Sequence, residues 1–364
     1  MSAIVCDVLV VGLGPGGGAA AAAAAKLGLT VVAIDRKRTV GVPVQCAEFI
    51  PLPLARHAQA PGVLAQRVDR MSSVLPSGTA HHTPFSGLMV ERAVFDQALA
   101  REAQRAGAVL HLNSRLAALD AERRAALVAT SRRELDVSWR LLIAADGPHS
   151  ATAALLGLPP LKTVNTRQYT VPLLSPSVET AIWLSDSYPG GYAWLFPKGR
   201  CANLGLGVDQ RLASGMKRPL DALHRALVTA GRVGREVLFR TGGAIPVGGL
   251  RAELVAGDTL FVGDAAGLTH PITGAGISAA VVSGERAAQA AHALLKKGAP
   301  DALAGYEEDI RDQFEGSIAR GLARRRELER AWRSAAARSD AVQRRGWIAF
   351  PEYFEEEPAC EEPA

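Results

Sequence analysis

Short apolar runs closed by glycine mark out the first part of the chain. Val8–Val11 is such a run, followed at once by Gly12-x-Gly14-x-x-Gly17, with Gly16 and Gly18 in the same turn, and then by seven consecutive alanines, Ala19–Ala25. A brief apolar run ending in a turn signal predicts a buried strand, and an alanine run predicts a helix. TVVAIDRK, residues 30–37, predicts a second buried strand. Phe95 and Leu99 recur at helical spacing within GLMVERAVFDQALAREAQRAGA, and an apolar strand before Gly263 leads to a helix that begins near Gly274. Tyr192, Trp194 and Phe196 alternate as on one face of a strand, the ordinary mark of a sheet packed on a core. Beyond Gly298 the pattern turns helical, with Phe314, Ile318, Leu322, Leu328 and Trp332 forming a partial apolar stripe among ten arginines between Arg311 and Arg345.

Composition narrows the class. The 364 residues are 48% apolar and 21% charged, enough for a sizeable core built as two lobes. Cys6, Cys46, Cys201 and Cys360 are far apart, without metal-ligand or C-x-x-C spacing, so a reduced cytoplasmic setting is expected and no metal site is legible. The net charge of +5 is mild and gives no reason to expect nucleic acid as a partner. Val8–Ala25 is uncharged and long enough to resemble a membrane span, but its five glycines and one proline would break a lipid-exposed helix. Asp7 also stands where a signal peptide would carry basic residues.

The glycine turn has a physical demand. Gly12 makes the turn, Gly14 lets a pyrophosphate approach the backbone, and Gly17 lets helix and strand pack closely. The anion then rests on the amino end of the helix, where unpaired N–H groups and the dipole favour it. Asp35, 23 residues after Gly12 and beside Arg36, stands where a carboxylate grips a ribose. Strand, helix and acid in register indicate a dinucleotide.

Three further stretches resemble FAD-dependent enzymes of the glutathione-reductase structural class. Gly263-Asp264 matches their glycine-aspartate motif, which implies that Asp264 binds the ribityl chain while Gly276 and Ile277, at the next helix start, face the pyrimidine end of the flavin. A helix amino terminus there stabilises the charge that builds on reduction. Asp146-Gly147 resembles the D-G motif of flavin hydroxylases and their relatives. The R-x-x-F-D stretch implies that Arg92 reaches FAD, against the plainer reading of a solvated cation at a helix start, and the same register puts Leu116 against the adenine.

Tyr192-x-Trp194-x-Phe196-Pro197, seven residues, then Gly205-x-Gly207 resembles the substrate-domain signature of the geranylgeranyl reductase family, and Pro43–Ala47, PVQCA, resembles its proline-x-x-cysteine motif. The resemblance covers residues 7–291. It implies an α/β fold, a Rossmann-like FAD-binding domain with an inserted, mostly antiparallel β substrate domain and C-terminal helices. It implies Cys46 and Ala47 beside the flavin, Tyr192, Trp194 and Phe196 lining a channel for a prenyl chain, and reduction of isoprenoid carbon–carbon double bonds by reduced FAD. Isolated alkenes are poor electrophiles, so a proton should arrive with the hydride. His270 is a candidate donor and Cys46 a candidate reactive thiol, each weighed against a purely structural role.

The expected division is residues 1–69, 91–157 and 246–298 for FAD; 70–90 and 158–245 for substrate; 299–350 helical; and 351–364 a disordered acidic tail. No second dinucleotide fingerprint occurs, so electrons come from NAD(P)H binding over the flavin or from a carrier such as ferredoxin. The arginine-rich helix leaves open peripheral contact with the inner membrane, against plain packing on its own protein. Two features depart from the lipid-reducing members: Phe49 replaces a glycine three residues after the cysteine, and the chain is short after Gly298. A flavin monooxygenase and a flavoprotein relaying electrons to quinone are the competing activities.

Overall fold

The computed structural model describes residues 4–209, 211–212 and 215–355. At its centre lies a six-stranded sheet in the order β18 (Val255–Ala256), β19 (Thr259–Phe261), β11 (Leu141–Ala144), β2 (Val8–Val11), β3 (Val31–Asp35), β7 (Val109–Leu112), parallel throughout except for β18. Every residue of β2, β3 and β11 is buried, which is why these strands read as unbroken apolar runs: a parallel sheet is covered on both faces. Helix α1 (Pro15–Lys26) carries the chain from β2 to β3. Its glycines and alanines keep it slim enough for α5 (Ile277–Lys297) to lie directly on it; a Cβ on Gly284 would stand 2.2 Å from the Gly16 carbonyl oxygen. Helix α2 (Arg92–Arg105) packs on α1, with Leu99 against Gly18. A four-stranded sheet, β1 (Ile4–Val5), β10 (Glu134–Ser138), β9 (Ala125–Thr130), β8 (Ser114–Asp120), adds Val137, Val128 and Leu116 to the same core.

The second lobe is a nine-stranded sheet ordered β16 (Phe239–Thr241), β12 (Thr163–Pro172), β15 (Cys201–Val208), β14 (Ala193–Lys198), β13 (Glu179–Trp183), β5 (Leu64–Val74), β6 (Ala80–Val90), β4 (Phe49–Pro51), with β17 (Ala244–Pro246) beside β12. Only the β13–β5 pairing is parallel. One face packs on α4 (Lys217–Thr229) through Leu220 and Leu227. This sheet takes residues 49–51 and 64–69, which were expected in the FAD-binding part. Leu64–Asp69 carries no apolar alternation because most of it faces solvent, so its strand character was invisible.

A short helix, α3 (Ala151–Leu155), is capped by the Ser150 hydroxyl, which accepts from the Ala153 N–H at 3.0 Å. Helix α6 (Ala302–Ala331) spans both lobes. Ile318, with Phe314 and Leu322 against it, joins the core of the first lobe, whereas Leu328 and Trp332 join the second. After α7 (Asp340–Gly346) the chain lays Trp347, Phe350 and Tyr353 on the other face of the nine-stranded sheet. The expected stripe is thus spent on the protein's own cores, and residues 351–355 are not a loose tail: Tyr353 is 1% exposed. Residues 356–364, with Cys360, lie outside the described residues. Among the described residues no helix is long and apolar enough to cross a membrane.

Candidate functional site

At the end of β2 the glycines divide their tasks. Gly12 has φ of +98°, and a Cβ there would meet the Ala145 carbonyl oxygen at 2.4 Å, so only glycine fits. A Cβ on Gly17 would stand 1.8 Å from the Gly12 oxygen. Gly14, by contrast, has nothing within 4 Å of such a Cβ; it caps the amino end of α1 with no side-chain partner, an open face of N–H groups suited to a pyrophosphate. Asp35 is buried at the end of β3 and accepts from the Leu13 and Lys37 N–H groups, each at 2.8 Å, so its carboxylate also pins the glycine loop. Arg36 beside it is exposed. Leu116 sits where the β8–β9 ladder skips Ala117, close to this end of the sheet through its place in the same core.

The second and third motifs converge on the same edge. Asp146 follows β11 and accepts from the Thr152 N–H and hydroxyl through Oδ2, while its Oδ1 is buried without a partner among the described residues. Asp264 lies in the turn after β19 and accepts from the Thr269 hydroxyl at 2.6 Å; burial pushes its pKa up. Gly276 caps α5 with no side-chain bond, and a Cβ on it would strike Thr269 and Asp264 at 2.7 and 3.1 Å, so Ile277 begins a helix with a bare amino end. An open cradle at Gly14, an orphaned carboxylate oxygen at Asp146 and an uncapped helix start at Gly276 suit the pyrophosphate, ribityl and pyrimidine portions of FAD. The residues present fit the group.

The loop carrying PVQCA is stitched to the substrate sheet. Thr241 donates to the Val44 carbonyl at 2.8 Å, Gln45 to Gly242 at 2.7 Å, Gln168 to the Cys46 carbonyl at 2.9 Å, and Asn203 to that of Ala47 at 3.3 Å. The Cys46 thiol accepts from the Glu48 N–H, and burial pushes its pKa up, which keeps it protonated and fits a packed thiol instead of a nucleophilic thiolate. Arg92 is held by a two-pronged pair to Asp96 at 3.1 and 3.0 Å, so it is no solvated cation, though its fork is turned toward Asp96.

Sequence reading missed the keystone beside it. Glu48, 3% exposed and at φ of +72°, accepts from the Arg92 N–H at 2.9 Å, from Lys198 at 2.7 Å and from Asn203 at 2.7 Å. One carboxylate thereby ties the flavin loop and α2 to β14 and β15. Although burial alone would lower it, the Lys198 pKa is raised by Glu48 and Glu91. The sole local clue was an acid next to the PVQCA loop, and its partners lie 107 to 155 positions from the groups they join.

Tyr192, Trp194 and Phe196 do share a face of β14 and its approach. Trp194 pairs across the ladder with Gly205, where a Cβ would stand 2.3 Å from the indole, and a Cβ on Gly191 would strike the Gly207 oxygen at 2.2 Å. The G-x-G half of the signature thus makes room for the aromatic half. Tyr192 donates to the Thr273 carbonyl in the flavin-side loop, and Trp194 donates to Gln168, which reaches the Cys46 carbonyl. Phe196 meets Phe49 edge-on at 6.3 Å; Phe49 stacks on Phe85 at 4.7 Å and fills the space over Gly87, narrowing this end as expected.

His270 does not fit the proposed proton donor. Its Nδ1 accepts from the Ile272 and Thr273 N–H groups at 3.3 and 3.2 Å, its Nε2 lies 3.2 Å from the Tyr353 hydroxyl, and burial pulls its pKa down to about 4. A neutral ring with both nitrogens engaged closes the loop; it has no charge to deliver.

Known proteins bear on this arrangement. A family model described as the geranylgeranyl reductase catalytic domain matches residues 166–244, and one described as FAD dependent oxidoreductase matches residues 7–146. A digeranylgeranylglycerophospholipid reductase of Methanosphaerula palustris is 33% identical over 325 residues, 84% of this chain and 81% of its own. One of Methanocaldococcus jannaschii is 32% identical over 343 residues, 90% and 87%. The crystal structure of a geranylgeranyl bacteriochlorophyll reductase-like protein from Thermoplasma acidophilum superposes with a TM-score of 0.83 at 29% identity, covering 90% of this chain and 88% of that one. PqsL of Pseudomonas aeruginosa, described as a probable FAD-dependent monooxygenase, shares the fold at a TM-score of 0.69 and 20% identity. With its glycine loop, its two acid motifs and its aromatic roof all in the matched segments, the chain belongs to the geranylgeranyl reductase family of FAD-dependent oxidoreductases.

Proposed function

We propose that this enzyme reduces carbon–carbon double bonds of an isoprenoid or similarly apolar alkene held beneath the Tyr192–Trp194–Phe196 face. The observation that carries the reading is the tethering of that face to both flavin-side loops, at Thr273 through Tyr192 and at Cys46 through Trp194 and Gln168. An apolar roof fixed over a flavin site orients an alkene and excludes water. When bound, FAD supplies the hydride. On this reading Gly12, Gly14, Gly16 and Gly17 with Asp35 hold its adenosine and pyrophosphate end, Asp146 and Asp264 its middle, and Gly276–Ile277 the end that gains charge. Cys46 and Ala47 present the flavin loop to the substrate. The Cys46 thiol and the Tyr192 phenol, both kept protonated by burial, are the neutral proton sources nearest the roof. The donor of electrons to the flavin stays between a nicotinamide and a protein carrier.

The test is anaerobic mixing of photoreduced holoenzyme with geranylgeraniol and geranylgeranyl phosphate. Flavin reoxidation that depends on the alkene, with product two mass units heavier per bond reduced, is the expected result. Reoxidation by oxygen alone through a flavin adduct, or by a quinone alone, overturns it.

A further inference from the structure

Two crevices open on the roof side of the nine-stranded sheet, enclosing about 280 and 320 Å³, and they meet at Gly190, Gly191, Tyr192, Ile272 and Arg325. Both are otherwise walled by apolar groups, glycine and uncharged polar side chains; Arg325 is the one charged residue in either lining. Arg325 extends from α6 and is 3% exposed. Its Nη1 donates to the Pro271 carbonyl at 3.2 Å, while Nε and Nη2 are buried without hydrogen-bond partners among the described residues.

Two carboxylates lie near it, but both are engaged. Asp209 Oδ2 is 3.8 Å from Nη2 and receives the fork of Arg211 on its two oxygens; Glu329 Oε1 is 3.4 Å from Nε and receives Lys162 at 2.6 Å. Three cations therefore face two anions, and the deepest cation has the poorest geometry. A guanidinium stays charged at any physiological pH, and two idle donors set in a fork match a carboxylate or phosphate. The larger crevice runs from this fork past Trp194, Val164, Ile245 and Val247 to Gly274 in the flavin-side loop.

We infer that Arg325 binds an oxyanion on the substrate, so that the native ligand is an apolar alkene chain ending in a phosphate or carboxylate. The inference rests on reading this crevice as the alkene site, and it specifies which end of the chain enters first. Three tryptophans, Trp194, Trp332 and Trp347, line the crevices, which supplies a binding signal independent of turnover.

The experiment titrates the holoenzyme with farnesyl phosphate, farnesoic acid and farnesol and follows tryptophan fluorescence. Wild type should bind at least one of the two anions about tenfold or more tighter than the alcohol, and which anion wins identifies phosphate or carboxylate as the group recognised. Arg325→Gln should abolish that preference while leaving farnesol affinity within about twofold, and Arg325→Lys, a charge without a fork, should keep part of it. Equal binding of all three probes by wild type, or an unchanged preference in Arg325→Gln, overturns the inference. If Arg325→Gln does not fold, wild type and Arg325→Lys still decide, because a lysine variant with the full wild-type preference refutes the fork. Anion-selective binding without alkene-dependent flavin reoxidation would leave the oxyanion site standing and remove the reductase reading; the reverse pair of results would do the opposite.

Discussion

Replacing Glu48 by glutamine tests whether one buried carboxylate holds the flavin loop to the substrate sheet. The side chains of Glu48 and Lys198 are 4% and 11% exposed, and their charged atoms lie 2.7 Å apart. Removing one partner of a buried pair costs roughly 3–5 kcal/mol, because the other charge remains desolvated. Glu91 lies 3.0 Å from Lys198 but is half exposed, so it retains a fraction of a typical exposed pair, about 0.5–1 kcal/mol. Glu48→Gln should therefore cost about 3 kcal/mol, and the new amide would also point a donor at either Lys198 or Asn203. Lys198→Met leaves the carboxylate with the Arg92 N–H and the Asn203 amide, a loss of about 2 kcal/mol. In the double variant neither charge is stranded, and its cost should fall short of the sum by about 2 kcal/mol. The assay is a double-mutant cycle on urea unfolding of the holoenzyme, with FAD release followed in the same samples. Because Glu48 anchors the backbone of Arg92 and, through Asn203, that of Ala47, the single variants should lose FAD at lower urea than wild type. Costs additive to within about 0.5 kcal/mol would refute the argument, since independent sites add and coupled ones do not.

Gly14→Ala should leave folding almost unchanged, because φ is −72° and a Cβ there touches nothing, yet weaken FAD about tenfold or more by crowding the approach of pyrophosphate; a dialysis titration of FAD against thermal stability of the apoprotein separates the two effects. His270 has a folded pKa pulled below its ordinary 6.5 to about 4, so only the unfolded chain takes up the proton between those values, and stability present above pH 6.5 is lost as pH falls toward 4, by at most about 3 kcal/mol. His270→Asn, whose amide oxygen can replace Nδ1 as acceptor, should flatten that part of the stability-versus-pH curve. Trp347 is 3% exposed, packs on Tyr192 at 4.9 Å and donates to Ser73 at 3.1 Å; Trp347→Ala should cost about 3–5 kcal/mol and enlarge the first crevice, so that tighter binding of a longer prenyl chain by the variant is the expected outcome of a chain-length series.

The FAD-binding part was legible because its signals are local. Val8–Gly17 forms strand, turn and helix within one stretch, and each glycine answers to a neighbour that the turn itself brings close, as Gly17 does to Gly12. The aromatic alternation of Tyr192, Trp194 and Phe196 likewise follows from strand periodicity alone. Arg92 and Asp264 could be named from motif position, but not their partners Asp96 and Thr269. His270 was misleading for a related reason: a histidine in a loop shows nothing of the two N–H groups it will meet or of the tyrosine that arrives from position 353.

Sequence by itself determined where the dinucleotide turn, the flavin motifs and the aromatic strand lie, since each is written in residues that stay neighbours when the chain folds. Tertiary structure alone decided that Glu48 meets Lys198, 150 positions away, that the last helices close over Tyr192 and Trp194, and that Arg325 enters an apolar crevice with two donors idle. A charge or an apolar face specifies only that it must be satisfied or covered. Which group does so depends on the path of the whole chain, and the energy of a buried pair exists only once water has been removed around both members.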